Sequence, residues 1–356
     1  RTAGDLNPGA DVSGSSVSDS CVSGSSLPRL LLLATGGTIA GRASDVISLN
    51  RYSAGDIAAE ELLQSVPQLK QLAEIEVEQI ANVDSADLTF AHWQRLITRL
   101  REALAADPDL AGVVITHGTN TLEETAWLLQ LLIDDPRPVV LVGAMRPATA
   151  LSADGPLNLF QAVQVAVSPE ACGQGVLVVM DGQIYGPRDV TKVATQGVGA
   201  FASPGSGPLG WVDDAGVHLP MASASRQVPF AELAFPEQWP QVVIVYGCVE
   251  PEPLMLTACL KAGVQGLVFT GTGSGQLSVG ERCALETWSG PRPLMLRANR
   301  CGFGPVHHHP DDERFGTLPA GRLSPQKARV LLLLASIAGL DRAELGALTS
   351  QRQLVS

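Results

Sequence analysis

A chain of 356 residues, 45% apolar and 17% charged, has the length of two ordinary domains and the composition of a compact globular protein. Its formal net charge of −12 excludes a nucleic-acid binder, which needs a basic face for phosphates, and no apolar run reaches the length of a membrane helix. Cys21, Cys172, Cys248, Cys259, Cys283 and Cys301 show no C-x-x-C spacing, so neither zinc nor a redox pair is indicated. Such scattered thiols fit a reducing, cytoplasmic compartment better than an oxidising, periplasmic one.

Residues 1–28 are rich in Gly, Ser and Asp, lack an apolar signal core and begin with Arg, which reads as a disordered tail or a processed remnant. From Arg29 short apolar runs alternate with longer amphipathic ones. Strands are expected at Leu30–Ala34, Glu74–Ile80, Gly112–Ile115, Pro138–Val142 and Val176–Met180. Helices are expected at Ala54–Val66, Phe90–Ala105, Leu122–Ile133 and Pro156–Val167. This βαβ rhythm predicts an N-terminal α/β domain over 29–205 with a mostly parallel, doubly wound sheet. Residues 206–240, rich in Pro, Gly, Ser and Ala, read as a linker with a few short irregular strands. A smaller α/β domain follows over 241–356, with strands at Val242–Tyr246, Gly266–Thr270 and Pro293–Arg297 and helices at Pro253–Ala262 and Val279–Trp288. Its last long helix runs from Ser324 to Ala338, with Pro325 at the permitted first position.

Two strand ends carry the polar chemistry. V-V-I-T-H-G-T-N-T-L-E-E-T-A, from Val113 to Ala126, breaks from strand to helix at His117-Gly118 and presents Thr119, Asn120 and Thr121 at the carboxyl edge of the sheet, where open α/β folds bind ligands. Thr121 and Glu124 fit a capping box, which is ordinary helix chemistry. A-T-G-G-T-I-A-G, Ala34 to Gly41, places Thr38 in the same way; its spacing matches neither a dinucleotide fingerprint nor a P-loop. Within R-D-V-T-K-V-A-T, after a turn at Gly182–Gly186, Lys192 is a candidate base: a desolvated lysine can take a hydroxyl proton where histidine is scarce, although a lone lysine is more often a solvated surface residue. His117, wedged between strand end and glycine, reads as a packing or backbone-bonding residue.

These segments, with G-A-M-R-P-A-T-A-L-S-A-D-G-P-L-N-L and P-Q-K-A-R-V-L-L-L-L-A in order along the chain, resemble the bacterial L-asparaginase family from about Leu30 to the C-terminal helix. The resemblance implies a hydrolase that releases ammonia from the side chain of L-asparagine, and more slowly of L-glutamine, through a threonine acyl-enzyme. It implies Thr38 as nucleophile, assisted by Tyr52, and Thr119 paired with Lys192. Ser85 in N-V-D-S-A-D would hold the substrate carboxylate, and the Ala144 carbonyl would receive the amide. It implies no cofactor and no metal. It further implies a homotetramer whose sites lie between subunits, completed by Glu250 or by an acid of the turn His307–Glu313.

The family pattern H-G-T-D-T is broken by Asn120, which cannot compensate a substrate ammonium as an aspartate would, and Ala86 removes a second polar position. Asn120 admits three origins: a substitution made to trap a ligand, a natural weakening, or a changed substrate preference. The intact remainder of the site favours the first. Two further readings compete with an active asparaginase. One is a nearly inactive amino-acid-binding protein, motivated by Asn120. The other is a glutaminase subunit of a tRNA-dependent amidotransferase, against which the short segment before Leu30 argues.

Overall fold

The computed structural model describes residues 26–43, 45, 52–53, 57–221, 227–250 and 253–351; residues 1–25 of the expected tail lie outside that set. The first unit opens with β1 (Arg29–Gly36), buried from Leu30 onward; a strand apolar on both faces belongs inside a parallel sheet. The short pair β2 (Arg42–Ala43) and β3 (Tyr52–Ser53) follows, then α1 (Ala59–Gln64) and β4 (Glu74–Val83). β4 alternates charged and apolar residues, as suits its place at the sheet edge. Next come α2 (Phe90–Ala106), β5 (Leu110–Thr116), α3 (Leu122–Leu132), β6 (Val139–Val142), α4 (Gly155–Ala166) and β7 (Val176–Met180).

The segment expected as a turn at Gly182–Gly186 is instead half strand. Asp181 (φ 51°) and Gly182 (φ 72°) are both left-handed, the conformation of a two-residue Asp-Gly hairpin, and they fold β8 (Gln183–Tyr185) back antiparallel on β7. The two-residue strands β9 (Thr191–Lys192) and β10 (Phe201–Ala202) form a separate pair. The hairpin of β11 (Gly210–Asp213) and β12 (Gly216–His218) pairs onto β8, so residues within the stretch expected as a linker extend the first sheet.

That sheet has the order β12-β11-β8-β7-β6-β5-β1-β4, parallel from β7 to β4. The chain adds β4 on one side of β1 and then returns to add β5 on the other. The loops after β1 and β5 therefore leave in opposite directions and open a crevice between them, the switch point at which such sheets bind ligands.

The second unit is the parallel sheet β13-β14-β15-β16 (Val242–Tyr246, Gly266–Gly271, Leu294–Asn299, Thr317–Pro319) with helices α5 (Leu254–Ala262), α6 (Val279–Thr287), α7 (Asp311–Phe315), α8 (Pro325–Ile337) and α9 (Arg342–Thr349). α8 lies on this sheet and against α3 of the first unit. One apolar cluster runs through both units, joining Trp93, Leu128 and Leu131 to Leu331 and Leu334, so the two share a continuous core.

Candidate active site

The site is built where strand-end loops crowd together, and glycine is what lets them. Gly37 has φ 82°, and a Cβ there would lie 2.3 Å from the Gly118 Cα; a Cβ on Gly118 would in turn lie 2.6 Å from Ser85 Oγ. The loops after β1 and β5 thus meet backbone to backbone, with the Ser85 side chain of the β4 loop against Gly118. Thr38, 6% exposed, and Thr119, 4% exposed, each follow one partner of the Gly37–Gly118 contact.

His117 fixes this geometry. Its Nδ1 lies 2.7 Å from the Gly118 carbonyl and its Nε2 lies 2.9 Å from Thr125 Oγ1. A carbonyl only accepts, so Nδ1 carries the proton and the Thr125 hydroxyl donates to Nε2. Complete burial pushes the imidazole down to about 4, which keeps the ring neutral and outside proton transfer at neutral pH. The expectation of a packing, backbone-bonding histidine agrees with this environment.

Lys192 reaches in from β9, its Nζ donating to Thr119 Oγ1 at 2.9 Å and to Asn120 Oδ1 at 3.1 Å. Burial lowers the pKa of this ammonium, while Asp84 and Glu123 pull it back up. A depressed lysine is easier to deprotonate, as a base for a neighbouring hydroxyl must be.

Ser85, 2% exposed, opens a 3-10 turn capped by Asp84, whose carboxylate accepts from the Ala86 N–H at 2.8 Å. The Ser85 Oγ accepts from the Asn120 N–H at 3.1 Å, and Asn120 Nδ2 donates to Asp84 Oδ1 at 3.1 Å. Asn120 therefore bridges a cation and a carboxylate. The capping box expected of Thr121 and Glu124 does not form: the Thr121 hydroxyl donates to the Ser85 carbonyl at 2.8 Å, tying α3 to the β4 loop instead of closing its own first turn. Glu124, released from that role, is largely buried; desolvation pushes its carboxyl up to about 7 against the pull of Arg329.

Ala144, fully buried, follows β6 on a loop pinned from α4. Asp154 accepts from the Met145 and Arg146 N–H groups, both at 2.9 Å, and Asn158 Nδ2 donates to the Gly143 carbonyl at 3.1 Å. These bonds account for Asp154 and Asn158 in G-A-M-R-P-A-T-A-L-S-A-D-G-P-L-N-L. Tyr52 pairs with Ala43 as backbone; its side chain lies outside the described part of the molecule. Glu250 is exposed, with φ 45°, on the loop after β13, and makes no hydrogen bond or ion pair with Thr38, Thr119 or Lys192 among the described residues.

Sequence reasoning passed over Asp84, Glu123, Asp154 and Asn158. Each was visible as a polar residue inside a motif already singled out, but nothing local showed which group it would bond. Among the described residues no group of three or more His, Cys, Asp or Glu side chains could hold a metal ion, and no helix is long and apolar enough to cross a membrane.

Fold and cluster define a two-domain α/β protein with a threonine hydroxyl held on a half-buried amine at the switch point of its larger sheet. Residues 29–224 match the family described as Asparaginase, N-terminal, and residues 241–348 match the Glutaminase/Asparaginase C-terminal domain. A Haemophilus influenzae protein named probable L-asparaginase periplasmic is 40% identical over 314 residues, covering 87% of this chain and 88% of the relative. The glutaminase-asparaginase of Pseudomonas fluorescens biotype A is 37% identical over 324 residues, covering 90% of this chain and 89% of the relative. Among solved structures, the probable cytoplasmic L-asparaginase of Campylobacter jejuni shares the fold with a TM-score of 0.86 at 37% identity, over 90% of this chain and 99% of that one. The chain belongs to the bacterial L-asparaginase family.

Proposed function

We propose that this protein hydrolyses the side-chain amide of L-asparagine to L-aspartate and ammonia, and that of L-glutamine more slowly, through a threonine acyl-enzyme. The reading rests on the family and on one observation: the Lys192 Nζ to Thr119 Oγ1 bond of 2.9 Å, one residue from the Gly37–Gly118 contact that also carries Thr38. The Thr38 hydroxyl oxygen bonds to the amide carbon, assisted by Tyr52, and its proton passes to the leaving nitrogen. The C–N bond then breaks and ammonia departs. Water attacks the resulting ester, releasing aspartate and restoring the Thr38 hydroxyl. Thr119 and Lys192 handle protons and steady the oxyanion, a contribution typically worth about 2.7 to 4 kcal/mol per preorganised donor.

Ser85 orients the substrate carboxylate, the Ala144 carbonyl accepts from the amide nitrogen, and Asn120 faces the ammonium with a neutral oxygen. The position of Glu250, on the second unit and apart from the cluster, supports a role across a subunit boundary in a homotetramer. The free thiols of Cys172, Cys248, Cys259, Cys283 and Cys301 support a reducing, cytoplasmic setting.

The test is ammonia release from asparagine and glutamine. Thr38→Ala and Lys192→Met should each lower kcat by roughly a thousandfold or more, as loss of a nucleophile or its partner does. No ammonia from the unaltered protein at high concentration would favour the amino-acid-binding reading that Asn120 motivates.

A further inference from the structure

Lys327 is the second residue after the proline that opens α8, and it is only 1% exposed. Both placements are unfavourable: a cation in the first turn opposes the helix dipole, and a buried ammonium forfeits its hydration. Burial pushes it down to about 8, with Glu123, Asp189 and Glu124 pulling it up and Arg188 adding repulsion. The ammonium is nonetheless partnered on more than one side. Nζ donates to the Arg188 carbonyl at 3.0 Å and to the Val190 carbonyl, and it faces Glu123 Oε2 at 4.0 Å, an ion pair longer than a hydrogen bond.

The partners share one feature. Arg188 and Val190 lead directly into β9, which carries Lys192. Glu123 lies in the first turn of α3, four residues beyond Thr119, and its Oε1 accepts from Gln326 Nε2 at 2.7 Å. Two consecutive residues of α8, in the second unit, therefore grip both segments of the first unit that meet in the Thr119–Lys192 hydrogen bond.

We propose that Lys327, supported by Gln326, is a positioning residue that sets Lys192 against Thr119, so that the second domain fixes the geometry of a proton-transfer pair borne entirely by the first. The proposal rests on the reading of Thr119 and Lys192 as reaction partners. Misplacing reacting groups by about 1 Å can lower a rate by about a hundredfold, so an anchor of this kind is felt in turnover before it is felt in binding.

Lys327→Met keeps the aliphatic stem and removes the donors. In the full-length protein, with folding checked by thermal melting, kcat for asparagine should fall by roughly 10- to 100-fold while KM stays within about twofold. In a Lys192→Met background the same change should lower kcat by less than about twofold, since the pair it positions is already gone. An equal loss in both backgrounds, or a rise in KM at unchanged kcat, overturns the proposal. Should Lys327→Met fail to fold, Gln326→Leu, which removes only the Glu123 contact, should show the same non-additivity at roughly 3- to 10-fold.

A crystal structure of either variant reads the geometry independently of turnover. The Lys192 Nζ to Thr119 Oγ1 separation should exceed hydrogen-bond length, and an unchanged 2.9 Å overturns the anchor. If Lys192→Met itself turns over at the wild-type rate, the catalytic reading of the pair falls, while that distance still decides whether Lys327 positions it.

Discussion

Asn120→Asp places a carboxylate where the family resemblance implies one, and the surroundings set what it should do. Asn120 Oδ1 accepts from Lys192 Nζ at 3.1 Å, and Nδ2 donates to Asp84 Oδ1 at 3.1 Å. The substitution turns the first contact into an ion pair and the second into a contact between like charges. At such separations each pairing amounts to roughly 1 to 5 kcal/mol across effective dielectrics from about 80 to about 20, with opposite signs. The two largely cancel, so fold stability should move by no more than about 1 kcal/mol. What does not cancel is the gain for a ligand ammonium: a charge-assisted bond exceeds a neutral one by about 1 to 1.5 kcal/mol, or roughly 5- to 12-fold in affinity. Steady-state ammonia release should therefore show KM for asparagine falling about 5- to 12-fold, with inhibition by aspartate tightening in parallel. The double variant Asp84→Asn/Asn120→Asp removes the like-charge contact, while the amide introduced in place of the Asp84 carboxylate can still cap its turn, and should give the larger fall. KM and aspartate inhibition unchanged within about twofold in both variants would refute an ammonium site at this position.

Two buried groups make opposing contributions to stability against pH. Glu124, raised by burial from 4.5 to about 7, adds stability that is complete below 4.5 and is lost as pH rises through 7. His117, depressed by burial from 6.5 to about 4, adds stability that is complete above 6.5 and is lost as pH falls through 4. Between 4.5 and 6.5 their slopes offset, so urea denaturation of Glu124→Gln should reveal the His117 slope, up to roughly 1.4 kcal/mol per pH unit, over that window. A variant whose pH profile parallels the wild type would show that Glu124 adds no slope of its own, against its raised carboxyl. Asp312, fully buried, accepts from Arg297 at 2.6 and 2.8 Å and from Thr317 Oγ1 at 2.6 Å; Asp312→Ala should lower stability by about 3 to 5 kcal/mol by denaturant titration, since it strands a buried guanidinium. Gly37→Ala pushes a methyl to 2.3 Å from the Gly118 Cα at φ 82°, so ammonia release should fall by roughly a hundredfold or more even where the fold survives in circular dichroism. Near-normal turnover would mean that the two loops are not held together during the reaction.

Apolar runs and their spacing placed the parallel strands other than β16, and most of the longer helices, to within a few residues, because burial on two faces and helical periodicity are written locally. The β7–β8 hairpin and α9 were passed over, although their local signals, an Asp-Gly pair and the capping box of Asp341 and Glu344, stand in the sequence. Glycine turns at strand ends pointed to Thr38 and Thr119, while Lys192 stood out as a candidate base in a histidine-poor chain and Ser85 came from the family resemblance alone. Other features depended on partners far along the chain. The Thr121 hydroxyl leaves its own helix for Ser85, 36 residues away, and Lys327 finds the Arg188 carbonyl across 139 residues. The raised carboxyl of Glu124 and the lowered imidazole of His117 follow from desolvation, which is summed over every neighbour and belongs to no single one. The sequence by itself determined which residues could do the chemistry and on which strand ends they stand. Only the tertiary structure decided how they are charged, which of them touch, and that a helix of the second domain holds them there.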